Sequence, residues 1–268
     1  FASYIYINQN NIANNQEVWN VPIFSNNIVY MKEIIENIWN KLKHRKYKNT
    51  DSTIIGLYGL GGIGKTTIAN ILVHNLQKQY SFIGWFNSET SELLKNDYID
   101  LGYKYDLLSN NMSDKQKIYA VKEWLEQREN VLLIYDNISN MGKLVNFLPS
   151  KGDIIITSKN FNLPEAFEID VMTEEESTIL LGNLLAESKT KHIDKMRDLA
   201  KKLGYLPLAL SQAGSYISKN KLSISEYLKL YDFHQDRLLS DGTMPALDNH
   251  APAYITWNIA LKELETSP

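Results

Sequence analysis

The sequence predicts an α/β fold, a parallel sheet flanked by helices with an all-helical segment behind it, and three observations predict it. Strand-like and helix-like patterns alternate from Thr53 to Thr157, as they do when helical crossovers join parallel strands. Two apolar runs, Val131–Tyr135 and Ile154–Thr157, show no in–out alternation and suit strands covered on both faces. Beyond Val171 the strand pattern stops and helical periodicity continues.

The 268 residues suffice for one large domain or a domain with a smaller companion. A net charge of −3 gives no general electrostatic reason to expect nucleic acid or an anionic membrane as partner. The chain has no cysteine, which excludes disulfides, thiolate metal sites and cysteine nucleophiles and favours a cytoplasmic setting. No apolar run approaches the roughly 18 residues of a membrane span. The histidines, His44, His74, His192, His234 and His250, lack ligand spacing, so a metal other than Mg²⁺ is not expected. A chain that opens on Phe1 reads as a piece of a longer protein.

In order along the chain, residues 1–27 are Asn-rich and read as an irregular lead-in. Ile34, Ile35, Ile38 and Leu42 recur at helical spacing, and the Lys41–Lys48 basic cluster suits that helix's C-terminal end, with an anionic-ligand or membrane patch as the alternative. Thr53–Tyr58 reads as a strand, Lys65–Gln79 as a helix and Ser81–Phe86 as a strand. Ser113 can N-cap a helix carrying Ile118, Val121, Trp124 and Leu125 on one face. After the two apolar strands, Thr173-Glu-Glu-Glu176 is a capping box opening a helix through Ala186. A further helix, about 191–203, stops at Gly204, and helical segments follow at Pro207–Lys219 and Ile224–Tyr231.

Gly59-Leu-Gly-Gly-Ile-Gly-Lys-Thr66, followed by Thr67, matches G-x-x-x-x-G-K-[ST] between a strand and a helix. The backbone N–H groups of Gly61, Gly62, Ile63 and Gly64 are expected to form a nest for phosphate oxygens at the helix N-terminus. Lys65 should bridge the β- and γ-phosphates, Thr66 should coordinate Mg²⁺, and Thr67 can reach the α-phosphate. The second Mg²⁺ partner is expected at Asp136, the acid that ends Val131-Leu-Leu-Ile-Tyr-Asp136. Asn137 follows it, and an amide can orient water without accepting its proton, so hydrolysis should be slow unless another base is supplied. Ser158 and Lys159, ending the Ile154 strand, are placed to sense the γ-phosphate.

These three segments and Gly204-Tyr-Leu-Pro-Leu-Ala-Leu210, in this order, resemble the NB-ARC domain of the STAND nucleotide-switch ATPases. The last resembles the family's G-L-P-L-A-L signature, and the layout is similar to bacterial members with tetratricopeptide repeats downstream. The resemblance implies a P-loop nucleotide-binding domain over 28–172, a helical subdomain over 173–250 and the start of a winged-helix domain over 251–268. It places Pro207, with Leu208, at the nucleotide, and lets Ile28 and Val29 meet adenine. It departs from the pattern at three places: Tyr30 and Met31 stand where Gly and Arg would be, Lys159 replaces the sensor arginine, and Asn137 replaces the second acid. The loop also resembles that of partitioning-type ATPases, but Leu60 occupies their signature-lysine position.

The function this implies is an ADP/ATP-binding switch with Mg²⁺ as cofactor: slow hydrolysis, a closed ADP state, and self-association when ATP is bound. A further ligand would be sensed by a repeat domain beyond this chain. The alternative, motivated by Asn137 and Lys159, is a non-hydrolysing nucleotide-gated scaffold. A metabolic kinase would need an acceptor site for which no residues stand out.

Overall fold

A computed structural model describes residues 17–23, 32–45, 52–159, 165–185, 192–240 and 251–266. Six parallel strands form one sheet: β1 (Glu17–Trp19), β2 (Ser52–Tyr58), β3 (Phe82–Asn87), β4 (Val131–Ile138), β5 (Gly152–Ser158) and β6 (Ala166–Glu168), in the order β1-β3-β4-β5-β2-β6. Helices α1 (Lys32–Arg45), α2 (Lys65–Leu76), α3 (Ser91–Lys104), α4 (Asp114–Glu126) and the short α5 (Met141–Leu144) interleave with the strands. Then α6 (Glu174–Leu185), α7 (Ile193–Lys202), α8 (Pro207–Asn220), α9 (Ile224–Ser240) and α10 (Ala251–Thr266) follow, with no strand between them among the described residues. The α/β class read from the alternation is therefore the observed one. Among the described residues, one compact unit takes 17–23, 32–59 and 65–168, and a second takes 60–64 and 169–266.

In the sheet unit, Val131 to Tyr135 are all buried, as are Ile154 to Ser158, because helices cover both faces of the central strands. Phe82, Phe86, Leu94, Tyr98, Val121, Leu125 and Leu133 share one core with Tyr135 and Ile156. Polar groups inside it are matched: the Tyr98 and Tyr135 hydroxyls lie 2.6 Å apart, and Tyr98 donates to the Phe147 carbonyl at 2.5 Å. Burial pushes both phenols well above the ordinary tyrosine range. Tyr135 is thus anchored in the core immediately before Asp136.

Several elements differ from the sequence expectation, including the short α5 and β6, which it does not contain. Within the stretch read as irregular, Glu17–Trp19 pairs in parallel with β3, and Glu17 meets Arg128 at 3.1 Å. A three-residue edge strand carries too few side chains for a periodicity to show. Helix α3 also went unpredicted; it begins at Thr90, whose side chain accepts from the Leu93 N–H, and buries Leu94, Tyr98 and Leu101. The helix read as Lys65–Gln79 ends at Leu76 and continues as one 3₁₀ turn to Gln79. Ser113 and Gln116 form a reciprocal capping box at α4, and Lys41 pairs with Glu165 at 3.2 Å.

The helical unit is set by its helix ends. At α6 the Thr173 hydroxyl accepts from Glu176 N–H at 3.2 Å and the Glu176 carboxylate accepts from Thr173 N–H at 2.9 Å. Helix α7 closes in a Schellman motif: Tyr205 N–H donates to Ala200 O, Gly204 N–H donates to Lys201 O, and Gly204 has φ +62°. Leu206 is extended, as a residue before proline must be, and Pro207 opens α8. Ser223 and Glu226 cap α9 as Thr173 and Glu176 cap α6.

Candidate functional site

The loop that leaves β2 at Gly59 enters α2 at Lys65. Gly59, Gly62 and Gly64 have φ of 143°, 77° and 102°, conformations that only glycine adopts cheaply. At Gly64 an added Cβ would meet nothing within 4 Å, so the dihedral alone requires glycine there. In the helical unit the Gly62 carbonyl accepts from the Leu208 N–H at 3.2 Å. That N–H is one of the donors every helix start leaves unmet, and Leu208 side-chain atoms come within 2.9 Å of where a Gly62 Cβ would stand. Ile63 is buried, and Thr67 is exposed.

In the sheet unit the Lys65 ammonium donates to the Gly59 carbonyl at 2.9 Å, and the residue is only 9% exposed. Burial first, then the neighbouring positive charge of Lys159, lower its pKa against the opposing pull of Asp136. Two cations and one carboxylate leave a local excess of positive charge, the electrostatics of an anion site. The Thr66 hydroxyl lies 2.9 and 3.2 Å from the two Asp136 carboxylate oxygens, although 70 residues separate them. A hydroxyl and a carboxylate converging beside a cation are the hard oxygen donors that Mg²⁺ takes, so the donor set fits that ion.

The strand carrying Asp136 is irregular where it matters. Tyr135 pairs with Ile156 and Ile138 with Ser158, so Asp136 and Asn137 both face Thr157 alone, a β-bulge. Asn137 is exposed and left-handed, with φ +65°. Its N–H donates to the Thr157 hydroxyl at 2.7 Å, and that hydroxyl donates to Asp136 Oδ1 at 2.5 Å.

Of the residues nominated from sequence, Lys65, Thr66, Asp136 and Lys159 are therefore brought together. Ser158 is buried, and its hydroxyl donates to the Ile138 carbonyl at 2.8 Å, a bond that holds the strand pair. Pro207 and Leu208 begin α8. Ile28 and Val29 lie outside the described residues. Sequence reasoning missed Thr157: the run Ile154-Ile-Ile-Thr-Ser-Lys159 signals hydroxyls at a strand end, but only the bulge selects which one reaches the acid.

Comparison with known proteins places residues 31–191 in one family. The NB-ARC domain model matches residues 31–191, more than half of the chain. A "Nucleotide-binding leucine-rich repeat (NLR)-like protein" of Hyaloscypha variabilis is 23% identical over 93% of this chain and 29% of its own length. "Disease resistance protein RUN1" of Vitis rotundifolia is 24% identical over 65% of this chain and 15% of its own length. The chain spans less than a third of the length of these curated relatives. Among solved structures, one titled as Cdc6p from Pyrobaculum aerophilum aligns with 89% of this chain and 83% of its own at 12% identity and a TM-score of 0.44.

Proposed function

The chain belongs to the NB-ARC domain family, and from that premise we propose that it is a nucleotide switch, binding ADP or ATP with Mg²⁺ and hydrolysing ATP slowly. The observation that carries this reading is the convergence of Thr66 on Asp136 beside the buried, destabilised Lys65 ammonium. Phosphate oxygens supply the anion that this charge balance favours, and they take over the Lys65 hydrogen bonding now spent on Gly59. Bound Mg²⁺ would neutralise charge on the phosphate oxygens, with Thr66 and Asp136 as its protein partners. The N–H groups from Gly61 to Gly64 cradle phosphate, Thr67 meets the α-phosphate, and Ser158 and Lys159 sense the γ-phosphate. Ile28, Val29, Pro207 and Leu208 contact the base.

In this reading ADP holds a resting state, ATP promotes self-association, and the output belongs to signalling or defence, the latter in line with the name of the Vitis rotundifolia relative. Each nucleotide shifts the equilibrium only by its unequal affinity for the two states. A partner sensed through a further domain, and a cytoplasmic setting for a chain without cysteine, complete the proposal. Among the described residues no helix is long and apolar enough to cross a membrane. The test is direct. ADP with Mg²⁺ at about a hundred times its Kd should stabilise nucleotide-stripped protein by roughly 2.7 kcal/mol, a rise in Tm of about 5 °C or more. An unmoved Tm rejects the switch.

The exposed Asn137 amide favours a second reading, a nucleotide-gated scaffold without hydrolysis. A single-turnover ATP assay separates the two. Product above the enzyme-free rate, lost in Asp136→Ala, supports the ATPase; no product supports the scaffold.

A further inference from the structure

Thr157 has one hydroxyl proton, and the geometry dictates where it goes. The Asn137 backbone N–H can only donate, so at 2.7 Å the Thr157 oxygen is the acceptor. Its own proton is then committed to Asp136 Oδ1 at 2.5 Å. The same carboxylate receives the Thr66 hydroxyl, so two threonines, one on α2 and one on β5, fix the rotation of one acid. The next hydroxyl along β5, Ser158, donates to the Ile138 carbonyl at 2.8 Å.

The bulge makes the arrangement possible. Two residues of β4 face one residue of β5, so a single side chain reaches both the acid and the amide after it. In a regular ladder a backbone N–H such as that of Asn137 is directed to a carbonyl of the neighbouring strand; the bulge leaves it to the Thr157 hydroxyl. The left-handed Asn137, at φ +65°, is the conformational cost of that doubling.

From this we infer that Thr157 is a positioning residue for the metal-dependent part of nucleotide binding: it sets the orientation of the Asp136 carboxylate and, through the same oxygen, the place of Asn137. The inference rests on the nucleotide-switch reading and goes beyond it, since a hydroxyl serving only to pin the strand would affect the apo fold and both modes of nucleotide binding alike. Partners that orient a metal-binding acid typically contribute ten- to a hundredfold to metal affinity or activity.

The test measures ADP affinity by calorimetry with EDTA and with saturating Mg²⁺, in the wild-type chain, Thr157→Val and Thr157→Ser. Valine keeps the branched shape and removes the hydroxyl; serine keeps the hydroxyl. We expect Thr157→Val to lose about tenfold or more of the Mg²⁺-dependent gain with its EDTA affinity unchanged, and Thr157→Ser to recover most of that loss. With Mn²⁺ in place of Mg²⁺, the electron paramagnetic resonance spectrum of the ADP complex should differ between wild type and Thr157→Val and return in Thr157→Ser. Equal affinities in wild type and Thr157→Val, or equal losses with and without metal, overturn the inference. A wild-type chain that binds no ADP in either condition overturns the nucleotide reading itself. If valine unfolds the strand, Thr157→Ala removes the same hydroxyl without a second branched methyl and is read by the same criteria.

Discussion

The Lys65 ammonium is buried beside a second cation, so the apo protein holds a charge at a cost that an anion would offset. Lys65→Ala therefore has opposite effects on two observables. Loss of a charge-assisted phosphate contact should weaken ADP binding by about 1.5–3 kcal/mol, ten- to a hundredfold, while apo stability should hold or rise because the desolvated charge is gone. Calorimetry and melting of the same variant check both; a large apo destabilisation would mean that the Lys65–Gly59 bond is structural instead. The pH dependence follows from the same shift. Because the folded pKa lies below the ordinary lysine value, the stability Lys65 contributes is complete above about 10.5 and is lost as pH falls through the lowered folded value. Phosphate binds the charged form, so ADP affinity should fall as pH rises through that lowered value, beginning below 10.5. Lys65→Arg, which stays charged, should flatten that alkaline limb in a titration from neutral to alkaline pH.

At the scale of elements, glycine separates two kinds of constraint. Gly204 is left-handed at φ +62°, and a Cβ there would meet only Pro252 Cγ at 3.7 Å, an ordinary contact. Gly204→Ala should thus cost about 1–2 kcal/mol of conformational strain and little more. Gly62 is left-handed at +77°, and a Cβ would stand 2.8 Å from Leu208 Cδ2 and 2.9 Å from Leu208 Cβ. Gly62→Ala should cost more than Gly204→Ala in urea unfolding, and Leu208→Ala should recover only part of the difference, because the Cβ clash remains. An equal cost for the two would show that α8 yields. The C′ role of Gly204 is legible in sequence, since a periodic helix simply stops there. The approach of Leu208 to Gly62 is not legible, because it joins segments far apart in the chain. The strands around Asp136 were legible as continuous apolar runs, and the glycine-rich loop by its spacing. The bulge was not, because bulging depends on the register with β5 and leaves no mark on composition. Helix α3 is a different case: Leu94, Tyr98 and Leu101 form a readable stripe that Asn96, Asp97 and Asp100 interrupt on the other faces.

For the whole molecule, acid sensitivity should come first from two histidines rather than from carboxylates. In the sheet unit, His74 is half-buried and burial lowers its pKa, with a hydrogen bond to the Pro22 carbonyl opposing the shift; Asn70 donates to the same carbonyl at 3.2 Å. In the helical unit, His234 is buried, and desolvation lowers its pKa, followed by the positive charges of Lys262 and Arg237. In both cases the unfolded chain binds the proton more tightly than the fold does. The stability these groups provide is complete above about pH 6.5, the ordinary histidine value, and is lost as pH falls through the lowered folded values. Each protonation adds a slope of up to about 1.4 kcal/mol per pH unit within that window. Urea midpoints should therefore begin to fall below about pH 6.5, before ordinary carboxylates near pH 4 titrate. His74→Gln and His234→Gln, which carry no titrating ring, should each flatten that slope while leaving the slope below pH 4.5 in place. If both compact units unfold in one transition, the double variant should remove the sum of the single effects. An unchanged slope in both single variants would assign the acid transition to carboxylates.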